Sequence, residues 1–285
     1  MSNKIALVTD STNDIPSELR ENYHIYVVPL TIVWGGKQYL DGIELTPEDF
    51  YTRLSTDPTI PTTSQPTPRD FLKAFEQART DGAEEIVAIV ISSAMSGTIG
   101  SVRTAAEGFS LPVHIVDSRS NSMSLGWQLL AAAREREKSG NALRMVEAAE
   151  KVRRNLHYHI ILETMDYLFQ GGRIAGAARL ISGVLKIKPQ IRVNHESGLV
   201  EPGDISRTRS QAIEKLYTSF FKKVDINRPL HIAVLHNAAL AEAESLAARI
   251  REEFHPAEMI ISIVSPVLGV HTGPRALAIC GYSEE

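Results

Sequence analysis

The chain has 285 residues, 43% hydrophobic and 22% charged, which suits a globular protein with a sizeable core in one large or two ordinary domains. A net charge of −4 and the lack of a basic recognition stretch argue against nucleic acid as a partner. A single cysteine, Cys280, excludes an internal disulfide framework. With no signal-peptide pattern and no run of 18 apolar residues, a cytoplasmic protein without a transmembrane segment is expected.

Ile5 to Val8 is an apolar strand that ends in Thr9-Asp10-Ser11-Thr12. Asp14 and Pro16 then read as the cap and first-turn proline of a short helix. Ser11 and its neighbours fit either plain turn chemistry or a polar lip over a cleft. Strands are expected at 25–30 and 31–40, with Gly35-Gly36 as the turn between two arms. Thr46-Pro47-Glu48-Asp49 begins a helix. Pro61, Pro66 and Pro68 impose an extended path without regular structure on 59–68. Thr62, Thr63 and Ser64 place hydroxyls on this stiff segment. It reads as a connector or as a binding loop that loses little entropy on capture. An amphipathic helix follows, from Thr67 to Asp81.

The stretch around Ser96 is the most informative. A β-branched run from Ile86 to Ile91 stops at Ser92-Ser93-Ala94-Met95-Ser96-Gly97-Thr98, and a helical pattern then runs to Phe109. Small residues there admit another molecule close to the backbone, and free N–H groups at a helix start attract an anion. Val113 to Asp117 is a strand, followed by small polar residues and a helix over 123–138. Strand, small polar turn and helix thus recur at Asp10, Ser92 and Asp117. This is the grammar of a helix-covered parallel sheet with its ligand edge at the strand ends. A charged helix, 141–154, closes a first domain over 1–155, and the second domain spans 156–285.

In the second half His157 and His159 share one face of a strand, but no third ligand stands near, so partly exposed strand histidines are expected and no metal. Met165 to Ile174 gives a helical turn, the flexible pair Gly171-Gly172 and the cation Arg173. A small apolar run covers 174–182. Strands follow at 188–194 and 199–204. Arg207 and Arg209 open a helix to Val224. Cations there oppose the helix dipole and call for an external anion or acidic partner. Further elements are a strand at 230–236, a helix at 240–254, a strand at 259–264, a glycine-bordered loop from Pro266 to Arg275, and a last strand at 276–282 with Cys280 in its core. The expected fold class is α/β. It comprises an N-terminal Rossmann-like parallel sheet, a second mixed α/β domain, and a ligand cleft between them.

Nucleotide, zinc-protease, CxxC and GxSxG signatures are absent, so no cofactor is implied. Thr63, Ser96 and His271 offer neutral donors and one tunable imidazole, a set suited to holding a single carboxylate. Ser96 and His271 with Asp10 or Asp117 would form a hydrolase triad only if the fold assembled them. His271 also reads as a plain loop histidine.

Five motifs stand in a shared order: Thr9-Asp-Ser-Thr12, Thr63-Ser-Gln-Pro66, Ile91-Ser-Ser-Ala-Met-Ser-Gly-Thr98, Gly171-Gly-Arg-Ile174 and Gly269-Val-His-Thr-Gly-Pro274. In this the chain resembles, over essentially its whole length, the DegV family of bacterial fatty-acid-binding proteins called FakB. The resemblance implies two α/β domains around a long-chain fatty acid. The acyl chain lies in an apolar tunnel, and Thr63, Ser96 and His271 hold the carboxylate. Ser64, Gly97 and Thr272 stand beside them in the same motifs, and Ser11 of the first motif is grouped with them as ligand-binding. The resemblance also implies a separate ATP-dependent fatty acid kinase that phosphorylates the bound carboxylate for phospholipid synthesis. Arg173 would then face the kinase or phosphate, and Arg207 and Arg275 are grouped with it. The chain itself would have no catalytic residue, metal or cofactor. Transient contact with a membrane surface stays open. One departure is Arg275, where a small residue, most often glycine, is expected. The alternatives are a serine hydrolase or esterase using Ser96 and His271, and a carrier of another amphiphilic or phosphorylated small molecule.

Overall fold

Runs of Ile, Val and Ala too apolar for a one-sided sheet call for cover on both faces, and the computed structural model, which describes residues 4–174 and 187–285, supplies it. The strands of the first half are β1 (Ile5–Asp10), β2 (Ile25–Val28), β3 (Thr31–Trp34), β4 (Lys37–Leu40), β5 (Thr62–Ser64), β6 (Glu85–Val90) and β7 (Val113–Asp117). Four of them form a parallel sheet in the order β2-β1-β6-β7. Its helices are α1 (Ser17–Asn22), α2 (Pro47–Leu54), α3 (Pro68–Thr80), α4 (Thr98–Ala106), α5 (Ser122–Ser139) and α6 (Ala142–Asn155). Val8, Ile86, Ala88 and Val90 pack under Phe71, Phe75 and Val102 of α3 and α4, while Leu7, Val87 and Ile89 face the opposite side.

The remaining elements are β8 (His157–Ile161), α7 (Asp166–Gln170), β9 (Lys188–Val193), β10 (Val200–Ser206), α8 (Arg209–Phe221), β11 (Leu230–His236), α9 (Leu240–Phe254), β12 (Glu258–Ile263), α10 (Pro266–Thr272) and β13 (Leu277–Ser283). They build a mixed sheet in the order β10-β9-β8-β13-β11-β12, in which only β11 and β12 run parallel. Alternation sends Ile161, Ile232, Val234 and Ile279 toward α8 and α9. It sends Tyr158, Ile160, Ile191 and Ala278 inward, into a core that also contains Leu7 and Ile89 of the first sheet. Between the two sheets lies α5, buried on every side from Ser122 to Leu130, with its Ser122, Ser124 and Gln128 hydrogen-bonded to Asp14, His195 and backbone carbonyls. One apolar core therefore runs through both halves, although the second sheet begins at His157.

Four expectations change. The proline-rich segment 59–68 is not wholly irregular: Thr62–Ser64 pairs with β3, placing Thr63 opposite Ile32. The prolines flank this short strand and leave its N–H groups free to pair. Asp14 does not cap α1. Pro16 precedes α1 without a side-chain cap, and Asp14 is buried. The glycine-bordered loop after Pro266 is in fact α10, with proline in its first turn. His159 is buried against Phe220 and Ser219 rather than partly exposed. The small apolar run 174–182 lies, apart from Ile174, outside the described residues.

Candidate functional site

A cavity of about 370 Å³ opens between the inner face of the mixed sheet and the segments that carry the sequence motifs. Its apolar wall follows from strand register. Ile191, Ile160, Ala278 and Leu235 stand side by side on β9, β8, β13 and β11. The opposite wall comes from the Ser92–Ser96 turn, β5 and α10, with Arg173 after α7.

The polar groups of the cavity are tied to one another. The imidazole Nε2 of His271 lies 2.9 Å from Thr63 Oγ1. Its Nδ1 is buried without a partner. Burial, aided by the nearby Arg173 cation, pushes His271 down to about 4, so the ring is neutral at pH 7. Gly171 leaves room for it: a Cβ there would stand 2.1 Å from Nδ1. Ser96 precedes α4, which starts at Thr98 with Gly97 as its cap. The Ser96 hydroxyl accepts the Thr98 N–H at 3.3 Å and shares a 2.8 Å hydrogen bond with the Thr98 hydroxyl. Gln65 ties this turn to β5 by donating to the Gly97 carbonyl at 3.3 Å and to Ser101 Oγ at 3.1 Å. A Cβ on Gly97 would lie 2.1 Å from Gln65 Oε1, so glycine is required for that approach. Arg173 donates from Nε to the Met95 carbonyl at 3.2 Å, which holds its stem beside Ser96. Thr272 donates to Leu268 at 2.9 Å and accepts from Asn237 at 2.8 Å.

The structure therefore brings Thr63, Ser64, Ser96, Arg173, His271 and Thr272 to one cavity. Gly97 acts behind it, through Gln65. Ser11 does not line it: its hydroxyl accepts the Leu30 N–H at 3.0 Å, and Thr12 of the same motif reaches the cavity instead. Arg207 and Arg275 also lie outside. Arg207 is exposed on the turn before α8. Arg275 turns toward Glu242, 3.6 Å away, with a left-handed φ of 59° that explains why glycine would suit the position. The acidic partner expected for the arginines of α8 is internal, since Arg209 pairs with Glu242 at 2.9 Å. No triad is assembled. Asp10 is engaged with Thr12 and the Ile91 N–H, Asp117 with Ser93, and the Nδ1 of His271 meets no carboxylate. Among the described residues no group of His, Cys, Asp or Glu could hold a metal ion. Gln65 and Asn237 escaped functional reading. Gln65 sat within a quoted motif, whereas Asn237 carries no sequence signal.

A family model described as "Uncharacterised protein, DegV family" matches residues 4–284. The chain belongs to the DegV family. A DegV domain-containing protein of Streptomyces coelicolor is 35% identical over 280 residues, 98% of each chain. Two solved DegV structures share the fold with a TM-score of 0.91 and 28% identity. One, from Thermus thermophilus, is described as showing fatty acid binding and is covered over 99% of this chain and 100% of its own. The other, from Bacillus subtilis, is described as a fatty acid binding protein, with 99% of each chain covered. Among the described residues of this DegV protein, no helix is long and apolar enough to cross a membrane.

Proposed function

We propose that this DegV protein binds a long-chain fatty acid, with the acyl chain along the mixed sheet and the carboxylate at Thr63, Ser96 and His271. The observation that carries this reading is the amphiphilic cavity itself. An aliphatic wall adjoins a corner of hydroxyls and a neutral imidazole, and Arg173, the one cation among the described residues that line it, has its guanidinium held by carbonyls. Neutral donors bind a carboxylate without a buried ion pair. Affinity need not come from the head group. A sixteen-carbon chain buries about fifteen CH₂ or CH₃ groups, on the order of 12 kcal/mol of gross transfer.

The finer reading is that the protein presents the carboxylate to an ATP-dependent kinase in the cytoplasm and has no catalysis of its own. Two features support presentation. Arg173 is exposed at the polar corner, and Arg207 offers a second exposed cation. The hydrolase alternative is disfavoured by the hydrogen bonds above, which leave Ser96 without a base.

Native mass spectrometry of the purified protein, followed by organic extraction, tests the ligand. A copurified fatty acid is the expected result. A protein that is empty and takes up neither palmitate nor oleate overturns the reading. Added kinase and ATP should then convert the bound acid to an acyl phosphate, and failure with an active kinase removes the finer reading alone.

A further inference from the structure

Three buried carboxylates, Asp10, Asp14 and Asp41, lie outside the proposed head-group set. Asp10 is consumed locally, bonding Thr12 and the Ile91 N–H. The other two reach across the molecule. Asp14 Oδ1 accepts the Ser265 N–H at 2.9 Å, its Oδ2 accepts the Ser122 hydroxyl at 2.5 Å, and its carbonyl accepts the Ser262 hydroxyl at 2.8 Å. Asp41 Oδ1 accepts the Val267 N–H at 3.1 Å. Both therefore grip the start of α10, a helix contributed by the other half of the chain.

That grip is reinforced by close packing. The Tyr51 hydroxyl donates to the Val264 carbonyl at 3.1 Å. Gly269 lies so near α2 that a Cβ would stand 2.6 Å from the Phe50 ring and 2.7 Å from the Tyr51 oxygen. The far end of the same short helix carries His271. Its ring has one hydrogen bond, to Thr63, and a second nitrogen with none. Little else orients the imidazole, so its place depends on where α10 is seated. A carboxylate is a costly way to accept one buried N–H, and among the described residues Asp41 has, besides the Val267 N–H, only the Ser11 hydroxyl beside it. A seat needed for stability alone would be met more cheaply by a neutral acceptor.

We propose that Asp41, with Asp14 beside it, is a positioning residue for the head-group corner. It seats α10 so that His271 and Thr63 meet the ligand carboxylate together, and it thereby sets the preference for an acid over a neutral head group on the same chain. The inference rests on the fatty-acid reading above.

Delipidated wild type, Asp41→Ala and Asp14→Ala, which remove the acceptors for the Val267 and Ser265 N–H groups, are compared for binding of oleic acid and oleyl alcohol, which share one tail and differ in head group. Wild type should prefer the acid. Each variant should lose about tenfold of that preference, the scale of one buried N–H left without its acceptor, while affinity for the alcohol stays within about threefold. If an Asp variant fails to fold, Ser265→Pro removes the N–H that Asp14 holds. The φ of −55° at Ser265 already suits proline, and the same loss of preference is expected. Variants that retain the wild-type preference, or that lose acid and alcohol alike, overturn the inference and leave the fatty-acid reading standing. A wild type that binds neither ligand overturns both.

Discussion

The apolar wall of the cavity comes from alternate residues of one sheet, whereas its polar corner draws Thr63, Ser96, Arg173 and His271 from four separate segments. The wall is redundant, because any one of several aliphatic side chains supplies the same kind of surface. The corner is a fit between parts. Gly97 makes way for Gln65, Gly171 for the His271 ring and Gly269 for α2. Changes in the wall should therefore act on every ligand with a tail, and changes in the corner only on those with an acid.

The sharpest way to break the comparison is to fill the wall. Ala278 stands between Ile160 and Leu235, so Ala278→Phe should close the tunnel. Affinity for oleic acid and oleyl alcohol should fall together by about 100-fold or more, with about 1–3 kcal/mol of folding stability lost to overpacking. Titration calorimetry with both ligands checks this, and a loss confined to the acid would refute the division.

The corner should show itself in pH dependence. His271 is held neutral in the fold, down to about 4 from an ordinary 6.5. The unfolded chain takes up a proton as pH falls below about 6.5, while the folded protein resists until about 4. The stability from this group is thus complete at neutral pH and is lost across that window. At roughly 1.4 kcal/mol per pH unit the ceiling is about 3 kcal/mol. His159 and His195, both pushed by burial to about 3, act in the same direction, and Asp14 and Asp41, pushed up to about 6 and about 7, act oppositely. These contributions are common to wild type and His271→Gln. Melting curves of the ligand-free proteins between pH 7.5 and 4.5 should therefore show the variant losing less on acidification, and parallel losses would contradict the assignment.

Gly171→Ala should have a more selective effect. The added methyl meets Nδ1 and pushes the ring from Thr63, so acid binding should weaken about tenfold with the alcohol unaffected. The smallest effect is expected at Arg275. Replacement by glycine relieves a left-handed backbone and gives up a 3.6 Å contact from an exposed guanidinium. A gain of about 0.5–1 kcal/mol in urea melts is expected, with head-group preference unchanged.

Sequence pattern made the wall's strands legible, because the short apolar runs of β8, β11 and β13 need no partner to be read. β7, β11 and α9 begin and end where their composition places them. The corner was legible as motifs but not as geometry. Three residues of β5 become a strand only because β3 lies beside them. The glycines at 269 and 273 disguised α10 as a loop, and the acceptors that seat its start lie more than 220 residues upstream. Ser11 belonged to the right motif, yet its hydroxyl was taken by Leu30, and no local rule separates it from Thr12. The cation expected from Arg275 at the mouth was lost to Glu242, a partner on another helix.

The late place of α10 in the chain bears on how the protein is made. During synthesis Asp14 and Asp41 emerge from the ribosome long before the N–H groups of Ser265 and Val267 that they will accept. The inward face of α5 likewise waits for β13, which is later still. The nascent first half therefore carries two carboxylates that lack their partners on α10 and an open apolar surface, the kind of species that chaperones shield. A chain stalled or clipped before residue 266 would lack β13, which joins β8 to β11, so its mixed sheet would stay in two pieces and the pocket should close only once residues 266–283 are in place.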